Sequence, residues 1–442
     1  MSPLLYEGKR AVVIGYGITG KAVSEFLIRN GAHVVVYDDD VTGLSSPEPS
    51  LVICSIDGFF QQNIERADVV LVSPGVPRAH PVFEFAVEPI SELELAYRHT
   101  VVPIVAVTGT NGKTTVTTLI TDMLVSAGLR AKAVGNIGTS IISLVEDDLD
   151  CFVAEASSFQ LATISSFRPK VAVWTNFSPD HVDWHRGIDH YLSSKARIFE
   201  NQGPGDIAVI NASDPIVNNI IVPAGVRRIG FGIGDFEFGF DPGLAALTAY
   251  GEPYVFISEM VRTLPHDIEN ALAGSAAAYS IGADLESIAD IVRGFSGLAH
   301  RVEFAGSIDG VDYYNDSKAT TPASVMAAVS GFDSVLLIAG GKNKGIDLSP
   351  LLSLVPKLKV LIAIGDSADD LIDIFSGVPE LLVIRAVSME DAVGQAHSLA
   401  TAGDVVLLSP GCTSFDWYRS YGERGDDFKN IVMTLQSTRG GK

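Results

Sequence analysis

The chain has 442 residues, 47% hydrophobic and 19% charged, with 42 glycines and 21 prolines; at roughly 100–200 residues per domain this is a globular chain of two to four domains, not a disordered, collagen-like or coiled-coil one. The 31 basic and 53 acidic residues leave a formal charge of −22, a field that disfavours nucleic acid but permits a small anion held by backbone N–H groups and a few lysines. No apolar run approaches the ~18 residues of a membrane span, the opening MSPLLYEGKR carries no export pattern, and Cys54, Cys151 and Cys412 lack zinc-like spacing, so a reducing cytoplasm is expected.

The first stretch predicts a strand at 10–14, the turn Gly15-Tyr16-Gly17-Ile18-Thr19-Gly20, a helix from Lys21 to about Asn30, and a strand at 33–37 ending in Asp38-Asp39-Asp40. Strand, glycine turn, helix, strand and acid is the order of a dinucleotide-binding unit: glycines allow close backbone approach, and the helix N-terminus faces an anion. Read alone, it suits a nicotinamide-dependent dehydrogenase or merely a structural glycine turn. A strand at 68–72 then ends in Ser73-Pro74-Gly75, a second loop at the carboxyl edge of a parallel sheet.

The second stretch opens with an apolar strand at 101–107 that runs into Thr108-Gly109-Thr110-Asn111-Gly112-Lys113-Thr114-Thr115 and a helix to about Ala127. The standard phosphate loop places its first glycine where Val107 stands, so this is a shortened variant. Its physics is intact: backbone N–H groups wrap phosphates, Lys113 neutralises charge, and the Thr114 hydroxyl reaches Mg²⁺. A strand at 150–154 delivers Glu155, followed by Ser157 and Ser158; another at 170–174 leads to Asp180 and His181. A carboxylate and an imidazole at strand ends suit a metal beside ATP. His181 and His185 are four apart, but a zinc-protease helix needs Glu where Val182 stands, and Pro179 argues for a loop.

The third stretch starts near Leu298. It contains His300-Arg301, then Asn315-Asp316-Ser317-Lys318-Ala319-Thr320, then a helix from Ser324. Strands at 335–339, 360–364 and 405–408 come next, the first feeding Gly340-Gly341-Lys342-Asn343-Lys344-Gly345 and the last Ser409-Pro410-Gly411-Cys412-Thr413-Ser414. Alternating strands and helices predict a further parallel-sheet domain. Thr320, Lys344 and Ser414, from three strand-end loops, form a set suited to a small carboxylate-bearing ligand.

Across essentially its whole length the chain resembles the Mur ligase family. The resemblance rests on TGTNGKTTVTTLI (108–120), GNIG (135–138), EASSFQL (155–161), HDIENALA (266–273), AHRVEF (299–304), NDSKATTP (315–322), GGKNKG (340–345) and SPGCTSFDWYRSYGERGDDF (409–428). It implies an α/β protein of three domains: a Rossmann-like substrate domain at 1–97, a P-loop ATPase domain with a mainly parallel sheet at 98–297, and a Rossmann-like amino-acid domain at 298–442. The implied activity is ATP-dependent addition of D-glutamate to the carboxylate of UDP-N-acetylmuramoyl-L-alanine, through an acyl phosphate, in peptidoglycan synthesis. A glutamate ligase acting on a different cell-wall or folate-like acceptor is the alternative within the family.

The resemblance also implies residue roles. Gly109, Thr110, Asn111, Gly112, Lys113, Thr114 and Thr115 would hold the phosphates of ATP, Asn270 the adenine, and Arg301 and Asp316 the rest of the nucleotide. Two Mg²⁺ sites would draw on Thr114, Glu155, His181 and Lys195, the last as a carbamylated lysine. Asn136 and Ser157 would lie at the acceptor, whose uridine diphosphate would occupy Gly17, Ile18, Thr19, Asp38, Ser73 and Gly75. Thr320, Lys344 and Ser414 would bind the glutamate carboxylates, with Tyr421 standing where the family pattern leads one to expect Phe. Catalysis would fall to Lys113, Asn136, His181 and Lys195. A cytoplasmic monomer without nucleic-acid or membrane partners is expected.

Overall fold

A computed structural model describes residues 5–39, 41, 49–56, 59–86, 88–136, 138–181 and 184–439. Asp40, Ile137 of the GNIG run and Val182 lie outside the described residues. The chain forms two compact units, one made of residues up to Thr263 with Asp267–Phe295, the other of Leu264–His266 with Ser296 onward. The three α/β stretches expected from the sequence correspond to three sheets, two of them in the first unit. No described helix is long and apolar enough to cross a membrane.

The first sheet comprises β1 (Arg10–Ile14), β2 (His33–Tyr37), β3 (Leu51–Cys54) and β4 (Val69–Val72), in the order β3-β2-β1-β4 and parallel throughout. Its helices are α1 (Ile18–Arg29), α2 (Phe60–Glu65), α3 (Val82–Phe85) and α4 (Glu92–His99). Helix α1 starts three residues before the Lys21 read from the sequence, because Gly17 already serves as its N-cap. Glu94 of α4 is completely buried and accepts the backbone N–H groups of Ser165, Ser166 and Phe167, fastening the first sheet's last helix to the layer of the second sheet.

The second sheet has nine strands in the order β13-β12-β11-β10-β9-β8-β5-β7-β6. They are β5 (Ile104–Thr108), β6 (Ala131–Gly135), β7 (Cys151–Glu155), β8 (Val171–Trp174), β9 (Ile207–Asn211), β10 (Arg227–Ile233), β11 (Phe238–Asp241), β12 (Ala246–Ala249) and β13 (Glu252–Phe256). Pairing is parallel from β6 across to β11 and antiparallel from β11 to β13. Helices α5 (Lys113–Ser126), α6 (Ser158–Leu161), α7 (Ile188–Ala196), α8 (Pro215–Asn218), α9 (Pro265–Ile281) and α10 (Leu285–Gly294) accompany it. Strand β5 is shorter than the 101–107 predicted: Val101 is fully exposed, and Pro103 supplies no N–H to a ladder. From Ile104 to Thr108 every residue is buried, as a central parallel strand requires.

The third sheet, in the second unit, has the order β14-β15-β19-β16-β17-β18, parallel except for the β14–β15 hairpin. Its strands are β14 (Glu303–Ile308), β15 (Val311–Asn315), β16 (Val335–Gly340), β17 (Leu358–Ile364), β18 (Leu382–Arg385) and β19 (Val405–Gly411). Helices α11 (Pro322–Ser330), α12 (Ala368–Phe375), α13 (Met389–Leu399) and α14 (Tyr421–Arg439) complete it. The loop read at Ser409-Pro410-Gly411 is instead the end of β19, where Gly411 pairs with Gly340.

Candidate active site

The turn between β5 and α5 is built around two glycines that cannot be replaced without displacement. Gly109 has φ +152° and Gly112 φ +82°. A Cβ at 109 would lie 1.9 Å from Thr175 Oγ1, and one at 112 would lie 2.4 Å from Asn270 Oδ1. The segment after β8 braces the turn: Thr110 N donates to Asn176 O at 3.0 Å and Asn111 N to Asn176 Oδ1 at 2.8 Å. Helix α5 then begins at Lys113, so its first-turn N–H groups and positive dipole end face the turn. Lys113 Nζ donates to Gly109 O at 2.9 Å and Thr110 O at 2.8 Å.

Around this turn gather the candidates from other strands. Glu155, at the end of β7 and 2% exposed, accepts from Thr114 Oγ1 and from Asn136 Nδ2, each at 2.8 Å. Gly135, φ +97°, permits this closeness, since a Cβ there would sit 2.5 Å from Glu155 O. Lys195 is not the helix-surface lysine that spacing alone would give. It is 2% exposed, donates to Gly109 O at 2.6 Å and lies over the Tyr191 ring at 4.7 Å. Burial, and then the neighbouring Lys113 charge, push its ammonium well below the ordinary lysine range, against the pull of Asp180 and Glu155. Its partner Tyr191, which also meets Thr110 Oγ1 at 3.2 Å, was not singled out in the sequence. The i, i+4 spacing of Tyr191 and Lys195 on α7 was the available signal.

Two candidates are engaged differently. Ser157 caps α6, its hydroxyl accepting Gln160 N and donating to Gln160 Oε1 at 2.9 Å. His181 sits exposed at φ +51°, 3.5 Å from Asp180 and with its ring edge-on to Phe159. His185 is buried and bonded to Ser158 Oγ and to His190, each at 2.9 Å. Among the described residues no cluster of three His, Cys, Asp or Glu side chains stands ready for a metal. The Thr114 hydroxyl and Glu155 carboxylate are nonetheless hard oxygen donors. Glu155 is met by two neutral donors and by no ion pair among the described residues, so the set fits Mg²⁺ rather than zinc.

A cavity of about 580 Å³ lies at the carboxyl ends of the first sheet's strands. Gly17, Ile18, Thr19, Asp38, Ser73 and Gly75 all line it, and Asn136 joins them from the second sheet. Asp38 Oδ2 accepts Tyr16 N at 2.6 Å, and Ser73 Oγ donates to Gly15 O at 3.1 Å, so acid and serine fix the glycine turn that forms the cavity floor.

In the second unit, Asp316 is buried and accepts from Val302 N, the residue after Arg301, and from Ser409 Oγ at 2.7 Å. Thr320, Lys344 and Ser414 follow β15, β16 and β19, which are adjacent and parallel, so all three stand at one sheet edge. Ser414 is buried and Lys344 exposed. Tyr421, half-exposed at the start of α14, carries the Lys318 ammonium 4.9 Å above its ring and accepts Ser317 Oγ on its carbonyl at 2.8 Å.

Comparison with known proteins covers all three sheets. The family models for the Mur ligase MurD-like N-terminal domain, the Mur ligase middle domain and the Mur ligase glutamate ligase domain match residues 9–93, 107–278 and 300–412. A UDP-N-acetylmuramoylalanine–D-glutamate ligase of Pelotomaculum thermopropionicum is 43% identical, over 97% of this chain and 98% of that protein. One of Geobacter metallireducens is 40% identical over the same shares. Among solved structures, a MurF ligase from Thermotoga maritima in complex with ADP has a TM-score of 0.63 at 15% identity, over 97% of this chain and 96% of that one. That likeness establishes the fold.

Proposed function

The chain belongs to the Mur ligase family, and from that premise we propose that it joins D-glutamate to the carboxylate of UDP-N-acetylmuramoyl-L-alanine in peptidoglycan synthesis, with cleavage of ATP to ADP and phosphate. A carboxylate at neutral pH is a poor electrophile. Its oxygen therefore attacks the γ-phosphorus, ADP leaves, and the resulting acyl phosphate accepts the amine of glutamate. The tetrahedral adduct expels phosphate to leave an amide, and the amine proton passes to solvent or a base. Every reactant is anionic, so catalysis is mostly positioning and charge neutralisation.

The observation that carries this reading is the Gly112-Lys113-Thr114 turn with Glu155, Asn136 and Lys195 arrayed about it. Lys113 and the turn's N–H groups, from Gly109 to Thr115, would hold the β- and γ-phosphates, and Asn270 the adenine. Thr114, Glu155 and His181 would hold Mg²⁺, which when bound neutralises phosphate charge. Burial that disfavours the Lys195 ammonium favours the free amine, the form that adds to carbon dioxide. Attack of the neutral amine on carbon dioxide forms an N–C bond, gives a carbamate and releases one proton, turning Lys195 into an anionic oxygen donor. The cavity at the first sheet would take the uridine diphosphate, with Asn136 and Ser157 toward the acceptor carboxylate. Arg301 and Asp316 are assigned to the nucleotide, and Thr320, Lys344, Ser414 and Tyr421 to glutamate. Residues 1–97, 98–297 and 298–442 are proposed as the division of labour among acceptor, ATP and amino acid.

The test is phosphate release from ATP with each substrate omitted in turn. Release is expected only when D-glutamate and the uridine-linked acceptor are both present; release indifferent to either would overturn the reading.

A further inference from the structure

Arg424, on the first turn of α14, is 1% exposed, which makes it among the largest fully buried side chains of the protein. No ion pair reaches it among the described residues. The nearby carboxylates are occupied: Asp316 by Val302 N and Ser409 Oγ, Asp416 by the N–H of Asp366. The guanidinium instead grips backbone. Nε donates to Ser317 Oγ at 2.9 Å, and Nη2 to Ser317 O at 2.7 Å and Cys412 O at 3.2 Å. Nη1 has no partner and lies against the next loop, since a Cβ on Gly341 would come within 3.1 Å of it.

Ser317, Gly341 and Cys412 belong to the loops after β15, β16 and β19, the three that carry Thr320, Lys344 and Ser414. Two of these loops are also tied directly, Lys342 N to Thr413 O at 2.9 Å and Thr413 N to Lys342 O at 3.1 Å. Gly425 lets α14 come close enough for the contact, because a Cβ there would meet His300 Nδ1 at 2.2 Å and Asn315 Oδ1 at 2.9 Å. Burial pushes the guanidinium down only to about 10, so it remains cationic at neutral pH. Asp416 and Asp316 offset that charge through space without an ion pair, so the side chain is held chiefly by its backbone and hydroxyl acceptors.

We propose that Arg424 is a positioning residue for the amino-acid substrate: it locks the three loops into one cradle, so that Thr320, Lys344 and Ser414 are held in register with one another. This rests on the ligase reading above. Arg424 does not touch the substrate; it acts through Thr320, Lys344 and Ser414.

Arg424→Lys keeps the charge without the planar fork, and Arg424→Met keeps neither. In Arg424→Lys the KM for D-glutamate is expected to rise about tenfold or more, with kcat within about threefold and the KM for ATP unchanged. Arg424→Met should raise it further. Should Arg424→Met fail to fold, Ser317→Ala removes only the hydroxyl that accepts Nε, and a smaller rise in the same constant is expected. Hydrogen exchange without substrate should be faster at 317–320, 341–345 and 411–414 in Arg424→Lys than in the wild type. A folded Arg424→Lys with wild-type KM for D-glutamate, equal rises in KM for every substrate, or unchanged exchange in these loops would overturn the proposal. The exchange measurement needs no turnover, so a wild-type enzyme lacking glutamate-dependent phosphate release would count against the ligase reading alone.

Discussion

Replacing Gly112 with alanine separates two consequences of one methyl group. The first is backbone strain. At φ +82° an L-residue costs about 1–2 kcal/mol, whether or not nucleotide is bound, so this part lowers stability and leaves affinity alone. The second is collision. The new Cβ would fall 2.4 Å from Asn270 Oδ1, so the Asn270 side chain must leave its position, losing its assigned bond to adenine. An off-rotamer side chain and a lost hydrogen bond together amount to about 1–3 kcal/mol, or roughly 5- to 150-fold in ATP affinity. Gly128→Ala is the control: φ is +84°, nothing lies within 4 Å of its Cβ, and it sits just past the far end of α5. Both variants should lose similar stability in thermal unfolding, whereas only Gly112→Ala should lose ATP affinity by titration calorimetry. In an Asn270→Ala background, Gly112→Ala should add little further loss, since the displaced side chain is already gone. Equal ATP affinity for Gly112→Ala and Gly128→Ala would refute the reasoning.

Three further outcomes can be measured. Lys195→Ala is expected to abolish turnover, and formate or acetate to restore part of it, because either anion can stand where the carbamate would; undiminished turnover in the variant would remove the role. Glu94→Ala takes the acceptor from the N–H groups of Ser165, Ser166 and Phe167 at once and should lower the first unit's stability by about 3 kcal/mol or more, read from denaturant unfolding. Burial would raise the Asp404 carboxyl, but bonds from Lys359, Ser334 and Thr401 bring it down to about 2. Since that lies below the unfolded value near ~3.9, the stabilisation is complete above pH ~4 and disappears as pH falls through about 2. Asp404→Asn should flatten the stability profile in that window.

Much of the fold was legible because strands buried on both faces read as continuous apolar runs and their loops as Gly, Ser and Thr clusters. Strands β1 and β2 stand where the pattern placed them. Strand β5 was overextended because Val101-Val102 is as apolar as the 104–107 run, and hydropathy does not report that Val101 is left in solvent. The β10–β13 extension was not read at all. Its strands interleave Gly, Asp and Pro with apolar residues, and they are held by pairing with neighbours rather than by a period of their own.

The candidate site divides the same way. The Gly112-Lys113-Thr114 turn announces itself locally. The burial of Lys195 is set together with Gly109, 86 positions away in sequence, which no local pattern around Lys195 reports. Arg424 escaped notice because an arginine amid Glu423, Asp426 and Asp427 reads as a solvated, charge-paired face, whereas the close approach at Gly425 buries it. Glu94 was hidden likewise: a surface-type residue on a short helix turned out to cap three distant N–H groups.

The most direct measurement of the central claim, that ATP activates a carboxylate, is oxygen transfer. The acceptor carboxylate is labelled with oxygen-18, the reaction is run to completion with ATP and D-glutamate, and the inorganic phosphate is analysed by mass spectrometry. An acyl phosphate requires one labelled oxygen in each phosphate released. Unlabelled phosphate beside a fully formed amide would contradict the account.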